Sequence, residues 1–328
     1  MREGIAVVAF TPNGIRLGQQ LSARLDAAFS SAGQEGFSLS GWTEEQFARR
    51  EALIFIGAAG IAVRAVAPRV RSKTEDPAVL CVDEHGRYVI PLLSGHLGGA
   101  NALAEKVAAL TGGEAVITTA TDLNGLFAVD LWAKRQGMTV LQPERIKGIS
   151  SRILRGETIR VDCRWPVAGE PPAGVEPGAP GDVRVSLYRE EDGGLQLVPR
   201  IVRLGIGCRR GTAEETLAAV FERFCRERGL LPQAVACAAS IDRKADEEGL
   251  KAFCAARNWP LCFCSAEELK TAEGTFSASP FVEKTVGVDN VCERAAVLAG
   301  GRLIERKFAA EGVTFAAAEG DFAPDWSV

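Results

Sequence analysis

A strand-like run turns into a helical pattern at Leu92–Asn101, and no other stretch limits the folds open to this chain as much. The apolar run through Val89-Ile90 breaks into Ser94-Gly95-His96-Leu97-Gly98-Gly99, and helical spacing follows from Ala100 to Leu110. Glycines there permit positive φ and a close approach of backbone to ligand. The first N–H groups of the helix have no partner within it and favour an anion. The chain has two histidines, His85 and His96, and one stands in this turn. A side chain that titrates near neutrality is useful there for binding or proton transfer. A tight connection with no ligand would use the same residues.

The device recurs along the sequence. Ile5–Phe10 and Ala52–Ile56 are short apolar runs, each followed by helical spacing, and Gly57-Ala58-Ala59-Gly60 marks the second junction. Val79–Val82 and Tyr88–Leu92 flank Asp83-Glu84-His85-Gly86 and predict a hairpin. Ala115–Thr118 predicts a strand and Gly125–Arg135 a helix. A Pro- and Gly-rich stretch, 166–181, lies between the short strand candidates Thr158–Cys163 and Val183–Tyr188. Ile201–Ile206 then resumes the alternation. Thr212 is placed to cap a helix that ends at Gly229, and helix and strand are expected to alternate to the C-terminus. With 328 residues, this predicts an α/β fold of two three-layer domains with mostly parallel sheets. The expected divisions are 1–137, a small β-rich middle element and linker at 138–200, and 201–328.

A formal net charge of −4 argues against nucleic acid as partner. No apolar run approaches the length that spans a bilayer, and no secretory leader is read before Ile5, so no membrane association is expected. The nine cysteines are expected to be reduced thiols of a cytoplasmic protein. Cys262 and Cys264 share a strand face and are expected to pack as small apolar residues. No second Cys or Cys/His pair completes a metal set, so no metal site is expected.

Three groups of residues can carry chemistry. Ser94, His96, Gly98, Gly99 and Asn101 occupy the first turn, and Thr119, Thr121 and Asp122 follow the next strand. Ligands bind outside the carboxyl ends of parallel strands, so both turns can face one crevice. Asp122 can orient His96 as a base or itself activate water, or Thr121 and Asp122 can simply cap a helix. Gly60 and Arg64 form the second group, with Arg69, Arg71 and Lys73 nearby. They suit a polycarboxylate or phosphate, or else make a solvated basic helix end. The third joins Cys208, Arg209 and Arg210 to Asp242, Arg243 and Lys244, again for anionic groups. No dinucleotide or phosphate-loop fingerprint is present.

The segments 93–101, 118–122, 60–64 and 73–79 resemble the N-terminal domain of the cobalt-precorrin-5A hydrolase family. The segments 205–212, 240–250 and 287–293 resemble its C-terminal domain. The resemblance covers nearly the whole chain in the family's order and is weakest over 138–200. The stretch Thr275–Pro280 keeps only Ser277, Ser279 and Pro280 of the family's polar loop. The resemblance implies a hydrolase of anaerobic cobalamin biosynthesis. Its substrate is an anionic cobalt tetrapyrrole whose δ-lactone is opened, with the ring-bridging carbon leaving as acetaldehyde. Cobalt then enters with the substrate and no separate cofactor is implied; other corrin-pathway enzymes are expected partners. His96 or Asp122 would activate water, and Ser94 with the Gly98 and Gly99 N–H groups would donate to the oxyanion. The Arg64 and Arg209–Arg210 turns would hold carboxylates. A non-catalytic binder of corrin intermediates is the alternative.

Overall fold

Apolar runs that sit between two helical layers must be buried on both faces, and the first third of the chain follows that rule. The computed structural model describes residues 2–72, 75–96, 98–119, 125–190 and 193–327. Two units divide at 131/132. In the first, β1 (Ile5–Ala9), β2 (Ala28–Ser31), β3 (Ala52–Ile56), β4 (Ala78–Val82), β5 (Tyr88–Leu93) and β6 (Glu114–Ala115) form a sheet of order β2-β1-β3-β4-β5-β6. All its pairings are parallel except β4–β5. The helices are α1 (Pro12–Leu25), α2 (Leu39–Arg49), α3 (Ala59–Val66) and α4 (Ala100–Thr111). Val7, Ile54 and Leu80 pack with Leu21 of α1 and Ala104 of α4. Val8, Leu53, Phe55 and Val79 pack on the other side with Phe47 of α2 and Val66 of α3. Alternate residues of each strand thus feed opposite cores.

The β4–β5 hairpin is present as predicted. Asp83 shapes its turn, accepting from the N–H groups of His85 at 2.9 Å and Tyr88 at 2.6 Å. Because β5 runs against β4, Leu93 lies beside Val79, near the amino ends of β3 and β4. The predicted strand at Ala115–Thr118 is confined to Glu114–Ala115. Val116 still donates to Val89, but Thr119 accepts a side-chain hydrogen bond from Asn101 instead of joining a ladder. Helix α5 (Val129–Arg135) is shorter than the predicted Gly125–Arg135 and crosses the division between units.

The second unit holds two sheets. β7 (Met138–Val140), β8 (Ile159–Cys163), β9 (Val175–Pro177), β10 (Val183–Val185) and β11 (Leu195–Pro199) are ordered β7-β11-β10-β8-β9, with α6 (Ile146–Leu154) following β7. β12 (Val202–Cys208), β13 (Val235–Ile241), β14 (Leu261–Cys264), β15 (Arg302–Ala310) and β16 (Val313–Glu319) are ordered β14-β13-β12-β16-β15. Phe221 and Phe224 of α7 (Glu214–Arg228) and Phe253 of α8 (Glu248–Ala256) pack around Phe315 of β16. α9 (Ala266–Lys270), α10 (Pro280–Val286) and α11 (Cys292–Leu298) complete the unit. Leu269 of α9 and Ala295 of α11 pack with Ala239 and Ile241 of β13 in a separate core.

Three sequence expectations change here. The cap of α7 is Ala213; the Thr212 hydroxyl donates to the Arg209 carbonyl at 2.8 Å. Cys262 is exposed on the edge strand β14 and does not pack as a core residue. The chain ends in an antiparallel β15–β16 hairpin instead of a further helix–strand alternation. The turn at Glu311 and Gly312 has φ of 50° and 80°, the left-handed pair that favours a tight hairpin.

Candidate active site and ligand cavity

Ser94 and Gly99 are both left-handed, with φ of 58° and 83°, and together they curl the β5–α4 loop over the start of α4. Gly99 N–H donates to the His96 carbonyl at 3.0 Å. Ala100 and Asn101 N–H donate to the carbonyls of Ser94 and Gly95, each at 3.1 Å. The loop therefore caps its own helix, which corrects the expectation that these N–H groups await an anion. Gly99 N–H and the Ser94 hydroxyl, which donates to the Asp76 carbonyl at 3.0 Å, are likewise engaged. Gly98 N–H has no partner among the described residues. A Cβ at Gly98 would sit 2.2 Å from the Ser94 Cβ, so only glycine closes the curl.

Asn101 Nδ2 donates to Thr119 Oγ1 at 3.1 Å, so the turns after β5 and β6 meet as expected. His96 Nδ1 stands 3.3 Å from Asp130 Oδ1 on α5, and the two side chains are 13% and 8% exposed. Burial raises the Asp130 pKa, but the hydrogen bond and charge of His96 outweigh it and hold the carboxyl below its usual 3.8. Asp122 and Thr121 lie outside the described residues, as do Lys73 and Thr74. Asp130, not singled out from the sequence, is the carboxylate that the structure places against His96. An acidic residue in the apolar run Phe127-Ala128-Val129-Asp130-Leu131-Trp132 was the signal.

The pair makes a stability prediction. A carboxyl whose pKa is lowered by folding stabilises above its unfolded pKa and loses that contribution as pH falls through its folded value. The advantage of the wild-type chain over D130N is read from urea midpoints of the first unit. It should shrink as pH drops below the usual carboxylate value of 3.8. An advantage that grows in acid would contradict the pairing.

Gly60 and Arg64 do not join this group. They follow β3, at the sheet edge opposite to the one where antiparallel β5 delivers Ser94. The Arg64 guanidinium folds back on the Gly60 carbonyl at 3.2 Å. The direction of β5 thus keeps the second group apart from the first.

In the second unit β12 and β13 are parallel, so the turns beyond Cys208 and Ile241 leave one sheet edge. The β15–β16 turn reaches the same edge, with Cys208 opposite Val313. Between them lies a cavity of about 770 Å³ bordered by Cys208, Arg209, Arg210, Arg243 and Lys244. Asp242 is exposed and does not line it. Lys244 is paired with Glu247 at 3.0 Å, and Glu247 also accepts the Gly211 N–H at 2.7 Å. Burial works against the Glu247 carboxylate, yet these partners hold its pKa below the usual range. Burial raises the Cys208 thiol pKa, partly offset by Lys244. Lys307 also lines the cavity and was missed from the sequence, because its hairpin was read as helix and strand.

The buried Glu293 carboxylate fixes the wall formed by residues 277–290. It accepts from Ser277 N–H and hydroxyl at 2.7 and 2.8 Å and from Lys307 N–H at 2.7 Å. Among the described residues, no group of three or more His, Cys, Asp or Glu side chains is placed to hold a metal ion. All nine cysteines are free. No helix of the described residues is long and apolar enough to cross a membrane.

Fold and sites define a two-unit α/β protein with a histidine–aspartate pair in one unit and a cationic cavity in the other. Family models described as cobalamin synthesis G N-terminal and cobalamin synthesis G C-terminus match residues 41–122 and 202–318. A cobalt-precorrin-5A hydrolase of Salmonella typhimurium is 36% identical, covering 95% of this chain and 96% of its own. One of Priestia megaterium is 30% identical over 92% and 90%. A crystal structure of a cobalamin biosynthesis protein G homolog from Sulfolobus solfataricus is 23% identical, covers 97% of each chain and has a TM-score of 0.41. The chain belongs to the cobalt-precorrin-5A hydrolase family.

Proposed function

We propose that this chain is a cobalt-precorrin-5A hydrolase acting in the cytoplasm, opening the δ-lactone of a cobalt tetrapyrrole with release of acetaldehyde. One observation carries the reading: 36% identity to a curated hydrolase extends over 95% of the chain, so both units are shared. The proposed division of labour follows from the chemistry of the residues. Asp130 holds Nδ1 of His96, and Nε2 takes a proton from water. That water attacks the lactone carbonyl, and the developing oxyanion is met by the Gly98 N–H. The acyl–oxygen bond breaks and one carboxylate stays on the macrocycle. The freed alkoxide then becomes the aldehyde C=O as the carbon–carbon bond from the bridging carbon to the macrocycle breaks, so that acetaldehyde leaves and the electron pair stays on the macrocycle, which takes up a proton. Asn101 and Thr119 keep the two loops in register. Cobalt arrives within the substrate, and no further cofactor is required by these steps. The test is anaerobic incubation with cobalt-precorrin-5A and trapping of the volatile product as its hydrazone. Stoichiometric acetaldehyde is expected; tight binding with none released would make the chain a binding protein.

A further inference from the structure

We propose that the cavity of the second unit is a docking site for the carboxylate-bearing rim of a tetrapyrrole, and that it senses neither cobalt nor lactone. The identity of the ligand rests on the hydrolase reading; its chemistry rests on the cavity itself. Five cationic side chains line it, Arg209, Arg210, Arg243, Lys244 and Lys307, against a single carboxylate, Glu311. Lys244 among them is paired with Glu247. Arg209, Arg210 and Lys307 form no ion pair among the described residues. Uncompensated cations gathered at one cavity repel one another, and a ligand with several carboxylates relieves that repulsion.

The remaining lining is of a different kind. Ile241, Val286 and Val291 contribute apolar surface between the cations. An inorganic anion would leave those surfaces wet. A flat apolar body edged with acetate and propionate groups covers both, and a volume of about 770 Å³ falls in the range of pockets that take such ligands.

The cations are also held in place, as a docking site requires. Arg209 N–H donates to the Gly312 carbonyl at 3.1 Å. The Arg209 side chain lies over the Gly312 backbone, where a Cβ would come within 2.7 Å of it. Lys307 is fixed through its own N–H on the buried Glu293. Thr314 ties the hairpin to β12 by donating to the Gly207 carbonyl at 3.3 Å. Two separate chain segments thus present positive charge from one frame.

The acetate and propionate carboxylates away from the lactone are common to substrate and product, so their binding at these cations is the same for both, and its loss appears in KM. The probe is uroporphyrin, an octacarboxylate tetrapyrrole with neither cobalt nor lactone, titrated against the full chain and followed by its Soret shift. Binding is expected, weakening as salt is raised. R210E/K307E should weaken it by at least about tenfold, and the neutral R210Q/K307Q should lie between. H96A should bind as wild type does. Unchanged thermal midpoints show that the variants are folded, and the neutral pair decides the matter if charge reversal unfolds the unit. Equal uroporphyrin binding by wild type and R210Q/K307Q, or equally tight binding of a tetracationic porphyrin, overturns the proposal. If uroporphyrin binds through these side chains but no acetaldehyde is released from cobalt-precorrin-5A, the docking site stands and the hydrolase reading falls. If R210E/K307E releases acetaldehyde with an unchanged KM, the docking site falls and the hydrolase reading stands.

Discussion

Replacing His96 with alanine is expected to slow acetaldehyde release by about 10²- to 10⁴-fold, the usual contribution of a positioned general base. The effect should fall on kcat, because the imidazole acts on water and the binding cations lie on other residues. Its neighbours support this assignment over a purely structural one. His96 is not sealed among aliphatic side chains; it keeps 13% exposure and faces Asp130 at 3.3 Å. Ser94, which shares its loop, has its hydroxyl on the Asp76 carbonyl and is not a competing nucleophile in this arrangement. H96Q should not restore activity, since the amide cannot take the proton. Release by H96A at the wild-type rate would remove the imidazole from the reaction.

Replacing Gly205 with alanine is expected to destabilise the second unit by about 3 kcal/mol, at the upper end of overpacking costs. A Cβ there would lie 1.7 Å from the carbonyl oxygen of Cys292 and 2.9 Å from the Ala296 nitrogen. Both are backbone atoms of α11, so no rotamer change relieves the clash, and α11 must lift from β12. The thermal midpoint of this unit should fall by about 6–12 °C. Gly148, exposed on helix α6, is the internal control, since a Cβ there meets nothing within 4 Å. G148A should raise stability by up to about 1 kcal/mol. A G205A chain as stable as wild type would contradict the close packing of α11 on the sheet.

Much of the architecture was legible because buried parallel strands leave continuous apolar runs, and Leu53–Ile56 and Val79–Val82 could hardly be anything else. The glycine turns were legible as junctions, but their destinations were not. The antiparallel course of β5 sends the Ser94 loop to one edge while Gly60 stays at the other, and strand direction leaves no mark in local composition. The β15–β16 hairpin was hidden for a related reason. Ala316-Ala317-Ala318 favours helix intrinsically, yet all three are buried in a strand, where pairing with β12 overrides propensity. Lys307 went unseen with it. Asp130 was visible only as a charge in an apolar helix, and nothing in its spacing from His96 along the chain predicts their contact. In the cavity, by contrast, Arg209, Arg210, Arg243 and Lys244 follow neighbouring parallel strands, and that topology brings them together as their positions suggested.

Water must reach the acyl carbon of the lactone, and the mass of the corrin product formed in water enriched in oxygen-18 tests this most directly. One heavy oxygen should appear in the carboxylate freed on the macrocycle. A macrocycle that forms with acetaldehyde yet carries no heavy oxygen would mean that the ester breaks on its alkyl side, and the role assigned to His96 would be wrong.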